Sequence, residues 1–270
     1  MQLTGEAPVQ LVRVNGDVKA YADLSDGFLR LIVIEGDYDA EFYRVAANLL
    51  SDHEVFFDVG ANFGLLSFGL AGKEATRNLQ FHLFEPNPRL VEVTHRSLGT
   101  FPVMNATINR VAVSDHEGEL PIHFNEAQTG TSHYDPDAET KCPCVTLDHY
   151  AATHHIKSIH LLKLDVEGHE LAVLRGAQRL LQEGKVHAVY FEYFTRNLER
   201  NHPPANLLEF IVSAGLTICL CRSHDLAQAG GATHRLASPG TNLPLRPVEL
   251  QEIPSQTDLL AVPAARLVKV

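Results

Sequence analysis

The sequence predicts an α/β domain built on a mostly parallel sheet with helices on both faces. Three observations carry this expectation. Short apolar runs alternate with helical patterns from about residue 55 to residue 262, the rhythm of βα units. Residues 55–59 begin as a run of apolar and β-favouring residues that breaks into a turn with Gly60 and Gly64, and residues 65–71 read as a helix. Strand, glycine turn and helix form the opening unit of a nucleotide-binding fold. Residues 80–85 repeat the pattern as a short strand that ends in Glu85 and is stopped by Pro86 and Pro88.

Residues 1–50 read as a small β/α appendage ahead of a larger domain over 51–270. Within it, 9–14, 18–21 and 28–34 read as strands, Asn15, Gly16 and Asp17 as a hairpin turn, and 39–50 as an amphipathic helix. Two roles stay open. The appendage is a cover on the domain, or its Tyr38, Glu41 and Tyr43 reach the rim of a ligand site.

The turn after the first core strand is Asp58-Val59-Gly60-Ala61-Asn62-Phe63-Gly64. It lacks the middle glycine of the dinucleotide fingerprint, because Asn62 stands there. A carboxylate at Asp58 would repel a pyrophosphate and suits a cationic ligand. S-adenosylmethionine, with a sulfonium and an ammonium, fits that charge; a buried turn capped by Asp58 is the plainer alternative. Gly60 allows backbone angles closed to other residues and a close ligand approach. Glu85, one βα unit later, stands where Rossmann-like sites hold ribose hydroxyls.

These residues belong to a larger pattern. The Asp58–Gly64 turn is followed by Phe84-Glu85-Pro86-Asn87-Pro88, by Val111-Ala112-Val113-Ser114-Asp115 and by Leu164-Asp165-Val166-Glu167-Gly168-His169-Glu170. In type and order the four blocks resemble the FkbM-type methyltransferases, over about residues 38–195. The resemblance implies a Rossmann-like class I fold whose last strand is antiparallel. It implies S-adenosylmethionine as methyl donor and a hydroxyl on a sugar or secondary metabolite as acceptor. It also sets the donor's adenine beside Ala112 and Ser114. The alternation itself fits seven strands.

The remaining elements follow in order. Residues 106–114 read as the third core strand, 120–124 and 142–145 as further strands, and 125–140 as a mobile polar loop. A short helix is expected over 147–153, capped by Thr146. Residues 159–166 read as the fourth core strand, where Lys163 and Asp165 interrupt an apolar run and ask for partners. A helix over 167–182, a strand over 187–193, a helix over 203–214 and strands over 217–222 and 259–262 complete the pattern. The Pro- and Gly-rich stretch 224–257 reads as a long loop or lid beside the acceptor.

Asp165 ends its strand on the side of the sheet where ligands bind. His169 follows four residues later, one turn away if the chain between them is helical. Both are candidates for the base that takes a proton from an alcohol, or for orienting the acceptor. Glu192, Glu167 and Tyr38 are candidate acceptor contacts, and a structural salt bridge at Glu192 stays open. An NAD-dependent oxidoreductase and an inactive S-adenosylmethionine-binding protein are the competing readings.

Composition narrows the partners. A net charge of −11 argues against a nucleic-acid surface. No run of 18 apolar residues spans a membrane, and the N-terminus does not read as a secretion signal. The pairs Cys142/Cys144 and Cys219/Cys221 read as strand thiols in a reducing compartment, and neither they nor the scattered histidines show metal-ligand spacing. The expectation is a cytoplasmic enzyme without metal acting on a small molecule; assembly into a homo-oligomer stays open.

Overall fold

In the computed structural model, residues 9–14, 18–36, 38–73, 78–101, 104–229, 233–237 and 243–269 are described. Strands β1 (Val9–Val14) and β2 (Val18–Asp23) pair antiparallel; the turn expected at Asn15, Gly16 and Asp17 lies outside the described residues. The next expected strand, 28–34, is instead helix α1 (Gly27–Glu35). Its Ile32-Val33-Ile34 triplet favours a strand locally. The helix prevails because Asp26 caps it, accepting the Leu29 N–H at 2.9 Å. Leu29 and Ile32, three residues apart, then bury together in a cluster with Phe63, Phe68 and Leu90. Helix α2 (Ala40–Leu49), capped by Asp39, lays Phe42, Val45 and Ala46 on the sheet.

Strand β3 (Val55–Val59) is central and covered on both faces, which is why apart from Asp58 it is apolar throughout. Phe56 packs toward α2, 5.8 Å from the Phe42 ring, while Phe57 faces Phe84 and Tyr150 on the other side. Helix α3 (Leu65–Lys73), β4 (Gln80–Phe84), α4 (Pro88–Leu98) and β5 (Asn105–Asn109) follow.

The expected third core strand is two strands. Strand β5 stays in the core sheet, beside β4. After Arg110 and Val111 the chain leaves that sheet as β6 (Ala112–Val113), whose partners are Cys144 and Val145. With β7 (Gly118–His123), β8 (His133–Tyr134) and β9 (Lys141–Val145) it makes a separate sheet in the order β6-β9-β7-β8. Residues 125–140 are therefore not a free loop. Strand β8 pairs with β7, and Thr129 donates from both its N–H and its hydroxyl to the Asp26 carboxylate.

Helix α5 (Leu147–Thr153), capped by Thr146, leads to β10 (Leu161–Leu164). The single helix expected over 167–182 starts only at Glu170 and is split into α6 (Glu170–Arg175) and α7 (Gln178–Gln182). The split falls where the Asp148 N–H donates to the Gly176 carbonyl, and the Asp148 carboxylate caps the second piece by accepting from the Arg179 and Leu180 N–H groups. Strand β11 (Val189–Phe194), the turn α8 (Thr195–Leu198), α9 (Pro204–Ser213) and β12 (Leu216–Leu220) come next. In place of a loop or lid, the described part of 224–257 holds most of α10 (Ser223–Ala229), β13 (His234–Leu236) and β14 (Arg246–Pro247). The chain ends with β15 (Gln256–Pro263) and β16 (Leu267–Lys269).

The main sheet runs β14-β12-β15-β11-β10-β3-β4-β5. From β11 to β5 all neighbours are parallel, and β15 lies antiparallel between β11 and β12. This is the expected Rossmann-like class I sheet with one correction: eight strands among the described residues instead of seven. The eighth, β14, is a two-residue edge strand from the 224–257 segment. All four cysteines are buried free thiols. No helix among the described residues is long and apolar enough to cross a membrane.

Candidate functional site

A cavity of about 900 Å³ opens at the carboxyl ends of the parallel strands. Its walls come from α1, the β3–α3 turn, the end of β4, the β6–β8 sheet and the segments after β10 and β11.

The glycine turn forms its floor. Asp58 does not reach the cavity: it is 0 % exposed, accepts a hydrogen bond from the Ser67 hydroxyl at 2.6 Å and pairs with the Lys163 ammonium at 3.0 Å. Asp58 and Lys163 are direct neighbours across β3 and β10, which answers the charge inside an apolar strand. Lys163 also donates to the Gly60 carbonyl at 2.8 Å and lies 3.5 Å from Asp165. Burial opposes its charge, but Asp58 and Asp165 outweigh that and hold its pKa above the ordinary lysine value. Asp58 is thus a buried anchor and not a direct contact for a cationic ligand. Gly60 has φ +77°, and a Cβ there would overlap the Asp165 carbonyl oxygen. The close approach that demands glycine is that of strand β10, although Gly60 also lines the cavity. Gly64 turns away, toward Phe68, Thr94 and Leu83.

Asn62 takes a left-handed conformation (φ 51°), which asparagine tolerates. That turn aims its N–H at Glu85, whose two carboxylate oxygens accept from Asn62 and Asn87 N–H groups at 2.9 Å each. Burial still pushes the Glu85 carboxyl up to about 7, against those two hydrogen bonds. Glu85 and Asn62 both line the cavity, and each Glu85 oxygen keeps a further lone pair.

Beyond Glu85, Ala112 lines an apolar wall with Val111 and Val113. Ser114 does not: it is 0 % exposed, and its hydroxyl lies 3.0 Å from His169 Nε2. His169 lines the cavity beside Tyr134, with ring centres 4.9 Å apart. Burial pushes its imidazole down to about 4.

Asp165 belongs to a different group. Asp165, Glu167 and Glu192 bring carboxylate oxygens within 4.8 Å of one another, close enough to share protons or to surround one cation; His169 is not a member. The expected helical turn between Asp165 and His169 is absent. Glu167 has φ 55° and Gly168 φ 100°, so the chain makes a tight turn before α6 begins. Burial, then Asp165 and Glu192, pushes Glu167 up to about 9; burial, then Asp165 and Asp258, pushes Glu192 up to about 8. Glu170 is fully buried behind them, accepts the Val166 and Gly168 N–H groups and is driven by burial to about 7.

Tyr38 lines the cavity, but its companions in the expected rim do not. Glu41 pairs with Arg44 at 2.7 Å, and Tyr43 is a core residue. Phe28 and Leu31 of α1 and Arg196 and Arg200 near α8 line the cavity without any forewarning in the sequence. The first two sit in a run that reads as a strand, and the arginines fall in no motif. Of the 224–257 segment, only Gln256 reaches this cavity among the described residues.

Comparison with known proteins places the chain. It is 27% identical over 158 residues to the hexuronic acid methyltransferase AglP of Haloferax volcanii, covering 57% of this chain and 61% of that protein. It is 24% identical over 188 residues to the 2-O-methyltransferase NoeI of Sinorhizobium fredii, covering 60% of this chain and 72% of the relative. Among solved structures, the FkbM methyltransferase from Methylobacillus flagellatus aligns with a TM-score of 0.49 and 16% identity, over 79% of this chain and 44% of that one. The methyltransferase FkbM domain model matches residues 58–216, more than half of the sequence and all four motif blocks, and the chain therefore belongs to the FkbM methyltransferase family.

Proposed function

We propose that this chain moves a methyl group from S-adenosylmethionine to a hydroxyl oxygen of a sugar or similar small molecule. One observation carries the reading. A single cavity joins a carboxylate held by two backbone N–H groups, Glu85, to a cluster of three carboxyls, Asp165, Glu167 and Glu192. The relatives support the acceptor class, since one is named for a hexuronic acid and another for a 2-O position.

The donor fits the Glu85 end. The remaining lone pairs of Glu85 accept hydrogen bonds from ribose hydroxyls, Gly60 and Asn62 supply the floor, and Ala112 with its valine neighbours supplies an apolar wall for a base. Bound there, S-adenosylmethionine supplies a methyl group already activated on a sulfonium. The protein then has to align the acceptor and receive its proton. We assign proton acceptance to Asp165, the member of the cluster beside the Lys163 ammonium. Glu167 and Glu192, with pKa values near 9 and 8, hold protons at neutral pH and can donate hydrogen bonds that orient the acceptor. His169 is a weak base with its Nε2 at Ser114, so it shapes the donor's end of the cavity and is not the base.

The test is turnover. The purified chain is incubated with S-adenosylmethionine and a panel of glycosides, and S-adenosylhomocysteine release is followed. Donor-dependent release with a sugar acceptor is the expected result. Binding of NAD in place of S-adenosylmethionine would favour an oxidoreductase. Donor binding without turnover on any hydroxyl acceptor would favour an inactive binding protein.

A further inference from the structure

The cavity carries a charge pattern that methyl transfer alone does not require. One part of its lining is acidic, at Asp165, Glu167 and Glu192. Of the lysines and arginines that line it, Lys163 is engaged by Asp58, Asp165 and the Gly60 carbonyl. Arg222, in the adjoining smaller cavity, is engaged by Asp258 at 2.7 Å. Arg196 and Arg200 line the same cavity as the carboxyls, and neither guanidinium has an ion-pair or hydrogen-bond partner among the described residues.

Two asparagine side chains and one close backbone approach tie their turn to the carboxyls. The Asn197 side chain donates to Glu167 at 2.5 Å, and Asn201 donates to the Gly168 carbonyl at 3.0 Å. A Cβ on Gly168 would overlap the Asn197 carbonyl oxygen, so only glycine lets the two turns meet. The turn carrying the arginines is thereby clamped to the turn carrying Glu167.

Resting on the methyl-transfer reading above, we propose that the acceptor is an anionic sugar, whose carboxylate or phosphate is gripped by Arg196 and Arg200 while its hydroxyl meets the Asp165 cluster. A guanidinium fork matches either oxyanion in bidentate geometry. The charged Asp165 would repel the same anion, so binding is favoured in one orientation, with the anion at the arginines and the hydroxyl at Asp165. The arrangement selects both the substrate and the end of it that is methylated.

Three acceptors separate the cases: a hexuronate glycoside, a hexose phosphate and the matching neutral hexoside. The wild-type chain should favour one of the two anions over the neutral sugar by about 10- to 100-fold in kcat/KM, the scale of a charged hydrogen-bonded contact. Which anion wins tells carboxylate from phosphate. Replacing both arginines (Arg196→Gln with Arg200→Gln) should erase that preference through KM, and Arg200→Lys should retain part of it. Calorimetry with S-adenosylhomocysteine bound reads the grip without turnover. Anion binding that weakens in the double variant supports the proposal. Equal use of neutral and anionic acceptors, or an unchanged anion preference in the double variant, overturns it. Intact, arginine-dependent anion binding with no methylation of any acceptor would instead strike the proposed reaction and leave the grip standing.

Discussion

The two ends of the cavity treat their carboxyl groups in opposite ways. Glu85 sits between two successive βα units, and a backbone N–H meets each of its oxygens. Asp165, Glu167 and Glu192 come from the ends of two strands and the turn between β10 and α6, and they crowd against one another. A carboxylate met by fixed donors is suited to holding a ligand in place. A cluster that shares protons near neutral pH is suited to moving one. The difference lies in what surrounds each acid: oriented peptide dipoles at one end, other acids at the other.

Breaking the cluster should give the largest effect. Asp165→Asn keeps the shape and removes the charge, and turnover at saturating donor should fall about 10²–10⁴-fold. Near wild-type turnover in a folded variant would remove Asp165 from the base role, leaving Glu192 as the next candidate. His169→Ala, by contrast, should act mainly on donor affinity; a loss of turnover as large as that of Asp165→Asn would restore His169 as the base.

The anchor beneath both ends comes next. Lys163→Met leaves Asp58 buried without its ammonium, and breaking such a pair costs about 3–5 kcal/mol. Chemical denaturation should register the loss. A change within about 0.5 kcal/mol, the scale of ordinary surface substitutions, would mean that the pair contributes no more than a surface contact.

The donor end is sharpened by Glu85→Ala. Losing a hydrogen bond to a charged group should weaken S-adenosylmethionine binding by about 1.5–3 kcal/mol. Unchanged affinity by calorimetry would place the ribose elsewhere.

The protons of the cluster can be read from pH dependence. Glu167 and Glu192 are raised from 4.5 to about 9 and about 8. The folded state therefore keeps protons that the unfolded chain releases, so this stabilisation is complete below the unfolded value and is lost as pH rises through the folded values. The urea midpoint of the ligand-free chain should decline between about pH 5 and pH 9, and Glu167→Gln with Glu192→Gln should flatten the decline. Equal slopes in the wild type and the double variant would show that the cluster does not carry these protons.

Some of this molecule is legible from local chemistry. Residues 55–59 announce a strand buried on both faces, because Phe56 and Phe57 put apolar side chains on both sides and only Asp58 interrupts them. The motif block around Glu85 places an acid at a strand end, and it points into the cavity because the chain there follows an ordinary βα path. Other features are not legible locally because long-range contacts outweigh local preference. Ile32-Val33-Ile34 is helical because Asp26 caps it and the core takes Leu29 and Ile32 on one side. Residues 106–114 divide because β9, more than 25 positions later, offers Ala112 and Val113 a partner.

By itself, the amino-acid sequence determined the family, the run of βα units and the candidate acids, since each of these depends on neighbours a few residues away. Only the tertiary structure decided which acids meet. Asp58 was drawn inward by Lys163 across the sheet, and Ser114 was closed off by His169. Asp165, Glu167 and Glu192 were gathered at one point in the cavity that Arg196 and Arg200 also line. The physical reason is that a carboxyl group's role depends on its burial and on the charges within a few ångströms, and those charges come from strands and turns far apart in the chain.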